Sequence, residues 1–161
     1  GPHPVRGKNV QVKVAADELY GRVWTVSRTY ERDSNGEILP DDGDGYGFMT
    51  EMTFGAALSV TDKAALAAEY TCIKFYVYVA HSLTENETTD LYFTKIDERY
   101  KTDAAQERKR VTLTNGAWTE ISLTKDEFIA YGRMTALFAI LAEESDGRAG
   151  LLKFSPLFAC S

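Results

Sequence analysis

The clearest hydrophobic pattern in the chain runs over residues 69–80, EYTCIKFYVYVA. Ile73, Phe75, Val77 and Val79 fall on one side of a period-two alternation, and Cys72, Lys74, Tyr76, Tyr78 and Ala80 on the other. Alternating β-branched and aromatic residues predict a strand with one face on a core. The stretch contains no Gly or Pro, which places it inside its sheet rather than at an edge. Its second face carries two tyrosines beside a lysine, an unusual set for a surface that only meets water.

The rest of the chain reads mainly as further strands. Residues 10–14 (VQVKV) and 22–30 (RVWTVSRTY) alternate and are separated by the turn sequence DELYG. Residues 31–45 hold Ser34-Asn35-Gly36, Pro40 and the run DDGDG, so they predict a long surface loop. Strand character resumes over 46–60, with Gly55 marking a bend, and Ala-rich residues 61–69 predict a turn or two of helix. A polar loop over 81–89 leads to a strand at 90–96, and charged residues 97–110 form a connection. Asn115-Gly116, flanked by 111–114 and 117–123, predicts a two-residue type I′ hairpin. Thr124-Lys125-Asp126-Glu127 has the capping-box pattern that opens a helical turn. Residues 135–142 and 151–158 close the chain as strands around a polar loop at 143–150. Eight or nine strands with scarcely any helix predict an all-β fold: a β-sandwich (jelly roll) of two antiparallel sheets.

At 161 residues, 44% hydrophobic and 26% charged, the chain fits one globular domain with a core of its own. Gly1-Pro2 reads as a protease-cleavage scar, so residues 1–4 are expected to be linker and 5–161 the domain. No apolar run approaches the roughly 20 residues of a membrane span. The net charge of −6 argues against a nucleic-acid binder. Cys72 and Cys160 match no metal spacing. They are either small buried hydrophobes or a strand-to-strand disulfide, which would imply an oxidising compartment.

In two places the motif order resembles the jelly-roll, galactose-binding-like carbohydrate-binding modules. One is the short Asp-containing segment feeding Lys74-Phe75-Tyr76-Val77-Tyr78. The other is Gly116-Ala117-Trp118-Thr119-Glu120-Ile121-Ser122-Leu123 followed by an acidic residue and Phe128. The closing LLKFSPLFA is also similar to theirs, and the resemblance runs from about Ala56 to the C-terminus. It implies a non-catalytic module within a larger extracellular or cell-surface bacterial protein, and it names no sugar.

Six residues are candidates for ligand contact: Tyr76, Tyr78, Tyr92 and Trp24 as stacking surfaces, with Lys74 and Asp90 as polar partners. Sugar rings pack C–H faces on aromatic planes, and charged side chains bond their hydroxyls. The competing reading buries the tyrosine face under a second layer, packs Trp24 in the core with Val26, and treats Trp118 as scaffold. The acidic loop offers oxygen ligands at Asp33, Asn35, Glu37, Asp41, Asp42 and Asp44, so a structural calcium at Asp41, Asp42 and Asp44 is a candidate. The loop fails the EF-hand pattern, because Ile38 or Thr53 falls where glycine or the bidentate glutamate belongs. No cofactor is otherwise implied.

Catalysis finds little support. Glu143-Glu144 and Asp41-Asp42 are sequence neighbours in loops, and no nucleophile elbow, phosphate loop or HExxH occurs. Arg108-Lys109-Arg110 reads as a solvated stretch. The expected function is therefore polysaccharide binding, without catalysis. The alternatives are a protein-binding adhesion or assembly module and, more weakly, a small β-sandwich glycan hydrolase.

Overall fold

The computed structural model describes residues 2–6, 9–29, 31–39, 48–53, 65, 68–80, 88–94, 109–130, 133–138 and 148–160. Eleven strands are described, with one helix bounded at both ends: β1 Pro2–Arg6, β2 Val10–Asp17, β3 Gly21–Thr29, β4 Phe48–Thr53, β5 Cys72–Val79, β6 Thr88–Thr94, β7 Lys109–Thr114, β8 Trp118–Thr124, α1 Lys125–Ala130, β9 Arg133–Phe138, β10 Arg148–Phe154 and β11 Phe158–Cys160.

All strand pairs are antiparallel, and they fall into two sheets. One is five-stranded in the order β1-β4-β9-β6-β7, and the other is six-stranded in the order β11-β5-β10-β3-β2 with β8 beside β5. The pairs β3·β10, β4·β9, β5·β8 and β6·β7 are nested about the β6–β7 connection, like one long hairpin rolled up so that alternate pairs join alternate sheets. That is a jelly roll, as the strand spacing predicts.

The alternation over residues 73–79 is realised residue by residue. Ile73, Phe75, Val77 and Val79 are buried, and the residues between them are half-buried. β5 is central, paired along its length with β8 and on its other side with β10 and β11. The inner faces meet in one core: Val26, Ile121, Leu123, Leu152 and Phe154 of the second sheet pack with Leu91, Phe93 and Leu113 of the first. Phe75 and Phe93 meet edge to face across the two sheets, centroids 6.4 Å apart. Full burial of each such side chain stabilises the fold by about 1.5–3 kcal/mol.

The capping box forms as expected. The Glu127 amide donates to Thr124 Oγ1 (3.2 Å) and the Thr124 amide to Glu127 Oε1 (3.1 Å), with Phe128 buried beneath. Lys109 is engaged rather than merely solvated, with Nζ 2.8 Å from Glu127 Oε2 and 3.3 Å from the Ser122 carbonyl. It ties β7 of one sheet to β8 of the other.

Three local expectations are corrected. Asn115-Gly116 does not join a paired hairpin: β7 pairs with β6 and β8 with β5, so the chain crosses between sheets there. A type I′ turn needs positive φ at both positions, whereas only Gly116 has it (80°), and its amide donates to the Val79 carbonyl at 2.6 Å. The start of the long loop is itself a small hairpin. Arg32 bridges Ile38, Asp33 Oδ1 accepts from the Asn35 and Glu37 amides, and Ile38 packs against the core.

The closing strand is broken in two, because Pro156 has no N–H to give the ladder. β10 runs beside residues 77–79 of β5 and β11 beside residues 72–74. Ser155 mends the gap: its amide donates to the Tyr76 carbonyl (2.9 Å), and its buried hydroxyl accepts from the Tyr76 amide (2.8 Å). Ser155→Ala would leave that amide unpaired and is expected to lower stability by about 1–3 kcal/mol, measured by denaturant unfolding. An unchanged midpoint would contradict this role. β1 takes in residues 2–4 of the stretch expected to be linker, and its two prolines suppress strand character in the sequence. They are tolerated since β1 is an edge strand.

Candidate functional site

The half-buried face of β5 lies on the outside of the second sheet, and the register shows what shares that face. Tyr78 lies opposite Trp118 and Lys153, Tyr76 opposite Glu120, and Lys74 opposite Ser122 and Phe158. Trp118 is therefore a surface neighbour of Tyr78, with ring centroids 5.7 Å apart, and not only scaffold. Lys153 Nζ sits over the Tyr78 ring, 5.2 Å from its centroid, a cation–π contact.

A residue that the sequence reading passed over completes the cluster. Tyr20 is delivered by the β2–β3 turn, in which Asp17 Oδ2 accepts from the Leu19 and Tyr20 amides, both at 2.9 Å. Gly21 closes the turn at φ 78°, a left-handed conformation that glycine adopts without strain. The Tyr20 ring stacks on Tyr76 (centroids 5.0 Å, planes 20° apart) and meets Trp118 edge-on at 4.8 Å. Phe158 approaches both tyrosines, at 6.3 Å from Tyr20 and 6.0 Å from Tyr76. Among the described residues the face thus holds five aromatic rings: Tyr20, Tyr76, Tyr78, Trp118 and Phe158. The second layer foreseen as the competing reading is present over Tyr76, whose ring Tyr20 stacks on. The signal for it was the Asp17-to-Gly21 turn, although nothing in a linear sequence shows which way a turn residue folds.

The disulfide between Cys72 and Cys160 holds Phe158 in place. The two cysteines lie opposite each other in the β5–β11 register, with Cα atoms 4.9 Å apart. Of the two readings of the cysteines, the disulfide is the one realised.

Tyr76 donates its hydroxyl to Glu120 Oε2 at 2.9 Å. That hydrogen bond, then burial, then the charge of Glu120, holds its phenol above the usual tyrosine range. Tyr20 is raised as well, by burial and then by Asp17 and Glu120. A phenol whose folded-state pKa is raised contributes stability that is present below the ordinary pKa and lost as pH rises through the folded value. Both tyrosines should therefore ionise later than exposed ones in an alkaline phenolate titration. Glu120→Gln should return Tyr76 toward the ordinary range, and an unshifted profile in that variant would contradict the assignment.

The six residues singled out from the sequence do not form one site. Tyr76, Tyr78 and Lys74 share the face just described. Tyr92 and Asp90 lie on β6 in the other sheet, on its outer side, where Asp90 Oδ1 accepts from Thr112 Oγ1 at 2.6 Å. Alternation shows which side of a strand a residue takes but not which sheet the strand joins, so grouping them with Tyr76 is corrected. Trp24 is also apart. It is in phase with buried Val26 on the inner side of β3, yet it is 39% exposed, opposite Val14 of β2. Asp41, Asp42 and Asp44 lie outside the described residues. Among the described residues no three His, Cys, Asp or Glu side chains gather as a metal site, and Asp33 Oδ1 is occupied by backbone amides. No described helix is long and apolar enough to cross a membrane.

No family model and no curated protein matches the chain. Solved structures do. A family 11 carbohydrate-binding module from Clostridium thermocellum, in complex with a β-1,3-1,4-mixed-linked tetrasaccharide, aligns at 12% identity and TM-score 0.46, over 100% of this chain and 88% of that one. The CBM22-1–GH10 modules of the C. thermocellum endo-1,4-β-D-xylanase 10B, complexed with xylohexaose, align at 16% identity and TM-score 0.41, over 98% of this chain and 25% of that one. The CBM22-2 xylan-binding domain of Paenibacillus barcinonensis Xyn10C aligns at 10% identity and TM-score 0.38, over 98% of this chain and 91% of that one. Each of these three structures is, or contains, a carbohydrate-binding module.

Proposed function

We propose that this chain is a non-catalytic module that binds a polysaccharide on the outer face of its second sheet. One observation carries the reading: Tyr20, Tyr78, Trp118 and Phe158 cluster on a single sheet face, with Lys74, Lys153 and Glu120 beside them. Half-buried rings held in fixed orientations offer planes for sugar C–H faces, and the flanking charges offer hydrogen bonds to hydroxyls. Tyr76 serves as the base on which Tyr20 is stacked rather than as an open platform. The motif resemblance from Ala56 onward agrees with this reading.

The setting we propose is a larger secreted or cell-surface bacterial protein, in which the module holds polysaccharide near a neighbouring domain. The Cys72–Cys160 disulfide suits an oxidising compartment of that kind. A structural calcium in the acidic loop remains part of the proposal.

Affinity electrophoresis against a panel of soluble polysaccharides, with calcium and again with chelator, tests the reading. Retardation by one glycan class without turnover is expected, and its loss with chelator would add the metal. No retardation of the folded protein by any glycan would overturn the reading in favour of a protein-binding module. Cleavage of a glycan would overturn the non-catalytic assignment.

A further inference from the structure

The aromatic residues are one end of a longer row. Cross-strand register places Lys13 (β2), Thr25 (β3), Lys153 (β10), Tyr78 (β5) and Trp118 (β8) side by side across five strands. All five point outward, since the residues that alternate with them, among them Val12, Val26, Leu152, Phe154, Val77 and Val79, belong to or pack on the core. At about 4.8 Å per strand the row spans about 19 Å, the scale of a short oligosaccharide. It is aromatic at one end and cationic at the other.

The charge of this face runs against that of the protein. The chain as a whole carries −6, yet the face carries Lys13, Lys74 and Lys153. None of these three is in an ion pair among the described residues. Among the described residues of these strands, the two carboxylates on the same face accept hydrogen bonds within the protein: Asp17 from the amides of its own turn, and Glu120 from the Tyr76 hydroxyl. Ammonium groups beside stacking planes, with no carboxylate partner among the described residues, suit a ligand that brings its own anions.

Resting on the reading above, we infer that the ligand is an acidic polysaccharide. It lies across the strands along this row, with sugar rings on Trp118 and Tyr78 and its anionic groups at Lys153 and Lys13. Lys153 links the two halves, because its ammonium lies against Tyr78, 5.2 Å from the ring centroid, within reach of an anionic group on a sugar bound beside that ring.

The test compares polygalacturonate with the same polymer after carboxyl reduction, and dextran sulfate with dextran, at low and high salt. A thymidine oligonucleotide serves as a polyanion that is not a sugar. The protein is used as the wild type and as the Lys13→Gln/Lys153→Gln variant. The wild type is expected to bind an acidic polymer at least tenfold more tightly than its neutral counterpart at low salt. The variant is expected to lose that preference, its affinity for the acidic polymer falling at least tenfold, to the level of its affinity for the neutral one. The carboxylate and sulfate arms identify which anion is taken. Equal affinity for acidic and neutral polymers, or an acidic preference that survives in the variant, would overturn the inference and leave the polysaccharide reading standing. Oligonucleotide bound as tightly as the acidic polymers would also overturn it. Binding of none of the polymers would overturn both.

Discussion

Replacing Tyr78 and Trp118 together by alanine is expected to lower glycan affinity about a hundredfold while the protein remains folded. The two rings adjoin on the outer face, 5.7 Å between centroids, and each can cover part of a sugar. Losing about 100 Å² of apolar contact costs about 2.5 kcal/mol, which is close to two decades in the dissociation constant. The cost to the fold is smaller, because neither ring belongs to the core between the sheets. What is lost there is a pair of ring contacts worth about 0.5–1.5 kcal/mol each. Isothermal titration of the double variant, with circular dichroism to confirm folding, reads both quantities. Tyr92→Ala is the matched control, since Tyr92 lies on the other sheet, and it should leave affinity unchanged.

Removing the disulfide is expected to have the largest effect on stability. Cys72 and Cys160 are 88 residues apart in sequence, and cross-linking a loop of that length stabilises by about 4–5 kcal/mol in the chain-entropy treatment. Cys72→Ala/Cys160→Ala should therefore melt about 10 °C or more below the wild type. The consequence reaches the ligand face. β11 pairs with β5 only over Phe158, Ala159 and Cys160, so without the covalent tie this short segment frays and takes Phe158 away from Tyr20 and Tyr76. Affinity should fall several-fold in the double variant at temperatures where it is still folded. An unchanged melting temperature would show that the strand pairing alone holds β11.

Much of the fold could be read from the sequence because its signals are local. The alternation of Ile73, Phe75, Val77 and Val79 follows from strand geometry, and the Thr124–Glu127 capping box closes within one turn. The misreadings share a different character. Asn115-Gly116 has a hairpin's composition, but the partners that decide the matter are β6 and β5, distant in sequence. The break at Pro156 was visible as a proline, whereas its repair by the Ser155 hydroxyl depends on Tyr76, across the sheet.

The candidate site was half legible for the same reason. Tyr76, Tyr78 and Lys74 share one strand and so necessarily share one face. Tyr20, Trp118, Glu120, Lys153 and Phe158 reach that face from four other strands or turns, and only the register of the jelly roll brings them together. Tyr92 and Asp90 satisfied the same alternation rule and went to the opposite sheet.

The most direct test of where the ligand sits is a titration of the isotope-labelled protein with the retarding glycan, followed in amide and indole NMR spectra. The expected result is movement of the Trp118 indole signal together with the amides of β5, β8 and β11. Lys13 and Lys153 amides should join them if the ligand is acidic, while β6 and β7 stay still. Shifts confined to Asp90, Tyr92 and their neighbours, with the Trp118 indole unmoved, would contradict the assignment and transfer the site to the first sheet.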